Sequence, residues 1–105
     1  MYQDITAIAP KEIIKGFKAR FVHTENITLA FWEVEAGAEL PEHAHIHEQT
    51  TRVTEGKFEL TINGKTKVCE PGTIVIIPPN VKHKGVALTD CRITDIFCPV
   101  RTDYK

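Results

Sequence analysis

Three of the chain's five histidines stand at alternate positions in one stretch, E-H-A-H-I-H-E-Q over residues 42–49: His43, His45 and His47, with Gln49 following. On an extended segment alternate side chains share a face. His43 and His45 can therefore each turn one imidazole nitrogen toward a common point, as two ligands of a divalent ion must. The plain alternative is a solvated loop rich in polar residues, but three imidazoles in five residues beside an amide favour the ion. The one later histidine is His83, which ends the run I-I-P-P-N-V-K-H. The end of a buried strand is a place from which a side chain reaches back into the mouth of a β-barrel.

A second chemical signal lies in C-R-I-T-D-I-F-C, residues 91–98. Cys91, Ile93, Asp95 and Phe97 have one parity, and three of the four are apolar, so this face is expected inside, with a carboxylate among hydrophobic neighbours. Desolvation raises the pKa of such a group and a nearby cation lowers it, which suits proton transfer near neutral pH. The alternative is that Asp95 only satisfies a backbone or arginine partner. Arg101 follows six residues later. At a rim its guanidinium would hold a substrate carboxylate in a two-point clamp; otherwise it is an exposed tail arginine.

The elements that position these residues read as strands and turns, and no stretch sustains a helical apolar stripe. A short helical turn is expected around residues 10–15. Phe17, Ala19 and Phe21 alternate with Lys18 and Arg20, and after a turn at Glu25-Asn26 a second strand runs to a stop at Gly37. Phe58, Leu60 and Ile62 alternate with Lys57, Glu59 and Thr61 ahead of Asn63-Gly64, the sequence of a two-residue type I′ hairpin. The run I-V-I-I after Pro71-Gly72 reads as a strand buried on both sides, ended by two prolines that cannot donate to a ladder. Short antiparallel strands at this spacing predict an all-β jelly-roll barrel.

With 105 residues, 42% hydrophobic and 26% charged, the chain is expected to form one domain over 1–105, with its core over about 17–99. A formal net charge of −1 offers no footprint for nucleic acid or an anionic membrane and leaves a small molecule as the expected partner. There is no N-terminal basic-then-apolar segment, so a cytoplasmic location is expected. Cys69, Cys91 and Cys98 are odd in number, widely spaced and set among strand-like residues, so they are expected to be reduced, buried, structural thiols.

These residues resemble the cupin family. G-A-E-L-P-E-H-A-H-I-H-E-Q-T-T-R-V-T-E-G matches the first cupin motif at Gly37, His43, His45, Gln49 and Gly56, and G-T-I-V-I-I-P-P-N-V-K-H matches the second at Gly72, Pro78 and His83. Asn80 stands where glycine is usual, Ala87 where asparagine is usual, and Gln49 where the ligand is usually glutamate. The resemblance implies a double-stranded jelly-roll barrel that holds one divalent transition metal ion on His43, His45, Gln49 and His83. His47 is expected at the mouth, outside the ligand set. Imidazole and amide donors suit Zn, Ni, Fe or Mn, and the neutral amide leaves the ion's charge available for Lewis-acid work.

With the ending P-V-R-T-D-Y, the chain resembles more narrowly the KdgF-type pectin-degradation cupins, which linearise cyclic 4,5-unsaturated uronates to 4-deoxy-5-keto-uronates. That likeness implies an acidic sugar as partner, a homodimer, a catalytic set of Asp95, Phe97 and Arg101, and substrate contacts from Phe97 and Arg101. Arg52, in the unusual Thr-Thr-Arg after Gln49, is added as a substrate contact. Two other functions fit the same metal site: a metal-dependent dioxygenase and a non-catalytic sugar-binding module.

Overall fold

In the computed structural model, which describes all 105 residues, ten strands follow one another: β1 (Lys11–Ile14), β2 (Phe17–His23), β3 (Thr28–Val34), β4 (Glu39–His43), β5 (Glu48–Glu55), β6 (Phe58–Ile62), β7 (Lys65–Cys69), β8 (Ile74–Ile77), β9 (His83–Ala87) and β10 (Cys91–Cys98). They form two antiparallel sheets, a six-stranded one in the order β1-β2-β3-β10-β5-β8 and a four-stranded one in the order β4-β9-β6-β7. This is the all-β jelly roll that the turn spacing predicts. No helix is long and apolar enough to cross a membrane.

The period-two patterns decide which face is buried. Phe17, Val34, Val53 and Ile93 of the larger sheet share one core with Phe58 and Leu60 of the smaller one, and all are nearly inaccessible to solvent. Burying side chains of this size stabilises the fold by about 1.5–3 kcal/mol each before ordering costs are counted. The hairpin turn has Asn63 at φ 48° and Gly64 at φ 80°, both left-handed as a type I′ turn requires.

Two sequence expectations are corrected. Residues 11–14 form a strand instead of the helical turn. β1 pairs with β2 across Gly16, whose φ of 83° makes the reversal, and Ile13 and Ile14 become a wall of the cavity described below. The run I-V-I-I is not buried on both sides. β8 is the edge of the larger sheet, with Ile74 at 56% and Ile76 at 64% exposure, because no layer covers that sheet's outer face.

Candidate metal centre and its cavity

The cavity lies between the sheets, has a volume of about 300 Å³ and is lined mainly by apolar side chains, among them Trp32, Leu40, Phe58 and Phe97. His43 closes β4 and His83 opens β9, and the pairing of those strands sets the two residues opposite each other. His45 lies in the connection between β4 and β5, pinned where its carbonyl accepts a hydrogen bond from the Asn80 N–H at 2.7 Å. Asn80 has a φ of 64°, a left-handed conformation that asparagine tolerates better than most residues, which accounts for its use where the family pattern has glycine.

The three imidazoles are held in one tautomer. His43 Nδ1 donates to the Pro41 carbonyl at 2.8 Å, His45 Nδ1 to that of His47 at 3.0 Å, and His83 Nδ1 to that of Val81 at 2.9 Å. A carbonyl only accepts, so each Nδ1 carries a proton, and in the neutral ring the lone pair is left on Nε2. One ligand nitrogen from each ring lies within 4.8 Å of the others. His83 Nε2 is buried with no hydrogen-bond partner. Burial lowers the pKa of His83 and, reinforced by the charge of Arg101, brings that of His45 down to about 4, so protonation does not fill the gap at neutral pH.

Gln49, on β5, completes the picture. Its Nε2 donates to Thr51 Oγ1 at 2.9 Å, and Thr51 Oγ1 donates to Asp95 Oδ1 at 2.6 Å. With Asp95 ionised, the single hydroxyl proton of Thr51 is committed to the carboxylate, so the amide must face Thr51 with its N–H and His45 with its oxygen. Gln49 Oε1 and His45 Nε2 are then two acceptors 3.0 Å apart, an unfavourable pair unless a cation lies against both. Three imidazole nitrogens and an amide oxygen suit a divalent transition ion. His47 stays outside this group, with its ring stacked edge-on to His45 and Phe97.

Asp95 sits on the inward face of β10, 6% exposed, with Ala30 and Thr51 as its cross-strand neighbours. Burial raises its pKa to about 6, against the opposing pull of Thr51, Trp32, Gln49 and the Arg101 charge. Trp32 Nε1 is buried without a hydrogen-bond partner of its own, beside the carboxylate.

Arg101 departs from its expected rim position. It is 8% exposed, its guanidinium lies 4.7 Å from the Phe97 ring centroid and 4.1 Å from that of Tyr104, and its Nε and Nη2 donate to the two oxygens of Asp103 at 2.9 and 2.7 Å. The two-point edge expected to clamp a substrate carboxylate is thus taken by a carboxylate of the chain itself. Arg52 is a correction: it is exposed and absent from the cavity, because Gln49, Thr51 and Val53 take the inward parity of β5 and Arg52 the outward one.

Sequence reasoning passed over Thr51, Trp32, Asp103 and Tyr104. Parity alone marks Thr51 as the inward neighbour of Gln49, and the spacing R-T-D-Y puts Asp103 within reach of Arg101. Trp32 carries no local signal.

The chain is similar in sequence and fold to several known proteins. The chain is 27% identical over 97 residues to the pectin degradation protein KdgF of Dickeya dadantii (strain 3937), covering 90% of this chain and 88% of that protein. It superposes on KdgF from a Halomonas species with a TM-score of 0.94 and 25% identity, over 100% of this chain and 98% of that one. An RmlC-like cupin from Shewanella frigidimarina NCIMB 400 gives a TM-score of 0.93 at 28% identity, over 99% and 95% of the two chains. The sequence model for the cupin domain matches residues 30–97. That span runs from the strand carrying Trp32 to the one carrying Asp95 and takes in all three histidines of the cluster, so the chain belongs to the cupin family.

Proposed function

We propose that this cupin binds one divalent transition metal ion on His43, His45, Gln49 and His83 and converts cyclic 4,5-unsaturated uronates to linear 4-deoxy-5-keto-uronates. The observation that carries the reading is a buried carboxylate, with a pKa raised to about 6, in the same cavity on which three lone-pair-bearing imidazoles converge. The likeness to two KdgF proteins supports it. A volume of about 300 Å³ is at the lower end for small-molecule sites and suits a monosaccharide better than an oligosaccharide.

The reaction is an internal redistribution. The bond from C1 to the ring oxygen breaks, the C1 hydroxyl loses its proton as an aldehyde forms, C4 gains a proton, and the former enol-ether carbon becomes the C5 ketone. Asp95 takes the proton from the sugar and returns one to C4, a task for a group titrating near neutral pH. Phe97 packs against the sugar, and Arg101, its two-point edge held by Asp103, acts on the uronate carboxylate through its charge and not as a clamp. The apolar lining excludes water from the enol. The ion, when bound, disperses negative charge on the substrate oxygens.

Incubation of the purified protein with unsaturated galacturonate, following loss of the enol-ether ultraviolet absorbance, tests the assignment; no acceleration over buffer would sink it. The three-histidine cluster is also the donor set of oxygen-activating cupins, and full activity under strict anaerobiosis with a redox-silent ion excludes that second reading.

The protein is further read as a cytoplasmic homodimer. Its three cysteines are unpaired, as a reducing compartment keeps them; Cys69 and Cys91 are buried as expected, but Cys98 is exposed because it has the outward parity of β10. Ile74, Ile76 and Ile96 stand exposed on the outer face of the larger sheet beside the open edge of β8. Light scattering that returns the mass of a single chain would overturn the dimer.

A further inference from the structure

We propose that Thr51 is a positioning residue that ties the Gln49 amide to the Asp95 carboxylate, and that this tie requires an amide, not a carboxylate, at position 49. The inference rests on reading Gln49 as a metal ligand and Asp95 as the proton carrier. Thr51 is 4% exposed and is the cross-strand partner of Asp95 in the pairing of β5 with β10. Gln49 precedes it by two residues and shares its inward face. The register therefore places the hydroxyl between the two.

A hydroxyl has one proton to give and lone pairs to receive. Thr51 gives its proton to Asp95 Oδ1 at 2.6 Å and receives the Gln49 N–H at 2.9 Å. The first bond holds one rotamer of the carboxylate; the second turns the amide oxygen toward His45. Thr51 Oγ1 accepts from Gln49 Nε2 at 2.9 Å, and the Asp95 carboxylate beyond it draws the same N–H, so the Thr51–Asp95 pair sets which end of the amide faces the histidines. The β-branched side chain narrows the choice of χ1 and keeps the hydroxyl aimed. A glutamate at position 49 would set two carboxylates against one hydroxyl proton in a buried site, where such repulsion is poorly screened. An outer-shell partner of a metal ligand is commonly worth about 10–100-fold in metal affinity.

The full-length chain tests this with Zn²⁺ alone, measured in competition with a chromophoric chelator, and with unsaturated galacturonate. Thr51→Val keeps the shape and removes the hydroxyl; Thr51→Ser keeps the hydroxyl and removes the methyl. Thr51→Val should weaken Zn²⁺ binding about ten-fold and lower kcat more than it changes KM. Thr51→Ser should stay within about three-fold of the parent in both. The opposite ranking, with Thr51→Val unaffected and a folded Thr51→Ser impaired, would make Thr51 a packing residue and overturn the proposal.

Gln49→Glu decides the matter even where Thr51→Val does not fold. Added negative charge alone should tighten Zn²⁺ binding, whereas the tie predicts no gain, so about ten-fold tighter binding overturns it. The Zn²⁺ measurements need no substrate. A parent protein that never turns over uronate would therefore remove the proposed reaction and leave the affinity result to judge Thr51.

Discussion

At one end of the cavity, His43, His45 and His83 present nitrogens that bear lone pairs, with His83 Nε2 buried and unpartnered and an amide oxygen 3.0 Å from His45 Nε2. At the other, Asp95 is buried, yet its carboxylate already has a hydroxyl donor in Thr51, an indole N–H nearby and the charge of Arg101 in the background. The histidine end gathers acceptors that a bound cation would satisfy. The aspartate end draws its compensation from the chain itself. Burying polar groups costs free energy in both places; the imidazoles recover part of it through Nδ1 alone, whereas the carboxylate recovers part of it on the side that faces the cavity. Changes at the two ends should therefore separate metal binding from proton transfer.

The largest effect should come from Asp95→Asn, which keeps the shape and removes the proton carrier: turnover of unsaturated galacturonate should fall by about 10²–10⁴-fold, with metal content unchanged by elemental analysis. Loss of metal along with activity would erase the distinction between the ends.

His45→Ala should lower metal affinity by about 100-fold or more, because it removes an inferred ligand, whereas His47→Ala should leave metal content within error. Equal loss in both variants would show that His47 belongs to the ligand set and that the boundary is drawn in the wrong place.

Chelation should act on the histidine end alone. An ion held at 100 times its Kd stabilises the fold by about 2.7 kcal/mol, so its removal should lower Tm by about 10–20 °C in a chain of this size. An unchanged Tm would mean that no ion is bound there.

Titration of the metal-free protein should distinguish the ends by sign. Burial brings the pKa of His45 from 6.5 to about 4, so the unfolded chain takes up a proton there more readily, and stability falls as pH drops from 6.5 toward 4. Burial raises Asp95 from 3.8 to about 6, so the folded chain holds its proton longer, and stability falls as pH rises across that window. At pH 8, metal-free Asp95→Asn should therefore be more stable than the parent by up to about 3 kcal/mol; a destabilised variant would mean that the carboxylate's local donors outweigh its desolvation. The smallest effect belongs to Arg52→Ala, which should leave turnover within about two-fold because Arg52 faces away from the cavity.

Short-range information was legible in the chain. Alternation in residues 17–23, 58–62 and 91–97 sets which side chains face inward, the φ > 0 demand of a type I′ turn picks out Asn63-Gly64, and parity places Asp95 inside. Two-residue periodicity and turn geometry are properties of neighbouring residues, so they can be read without knowing what packs against them. The rest depended on distant partners. β1 is a strand because β2 pairs with it, and I-V-I-I is half exposed because β8 ends a sheet. The bond from Thr51 to Asp95 spans 44 positions and exists only through the register of β5 on β10. Whether Arg101 is free or held was likewise decided by the turn that returns Asp103 to it. Cross-strand register comes from the pairing of whole strands, so tertiary structure alone determined which of the inward polar groups meet.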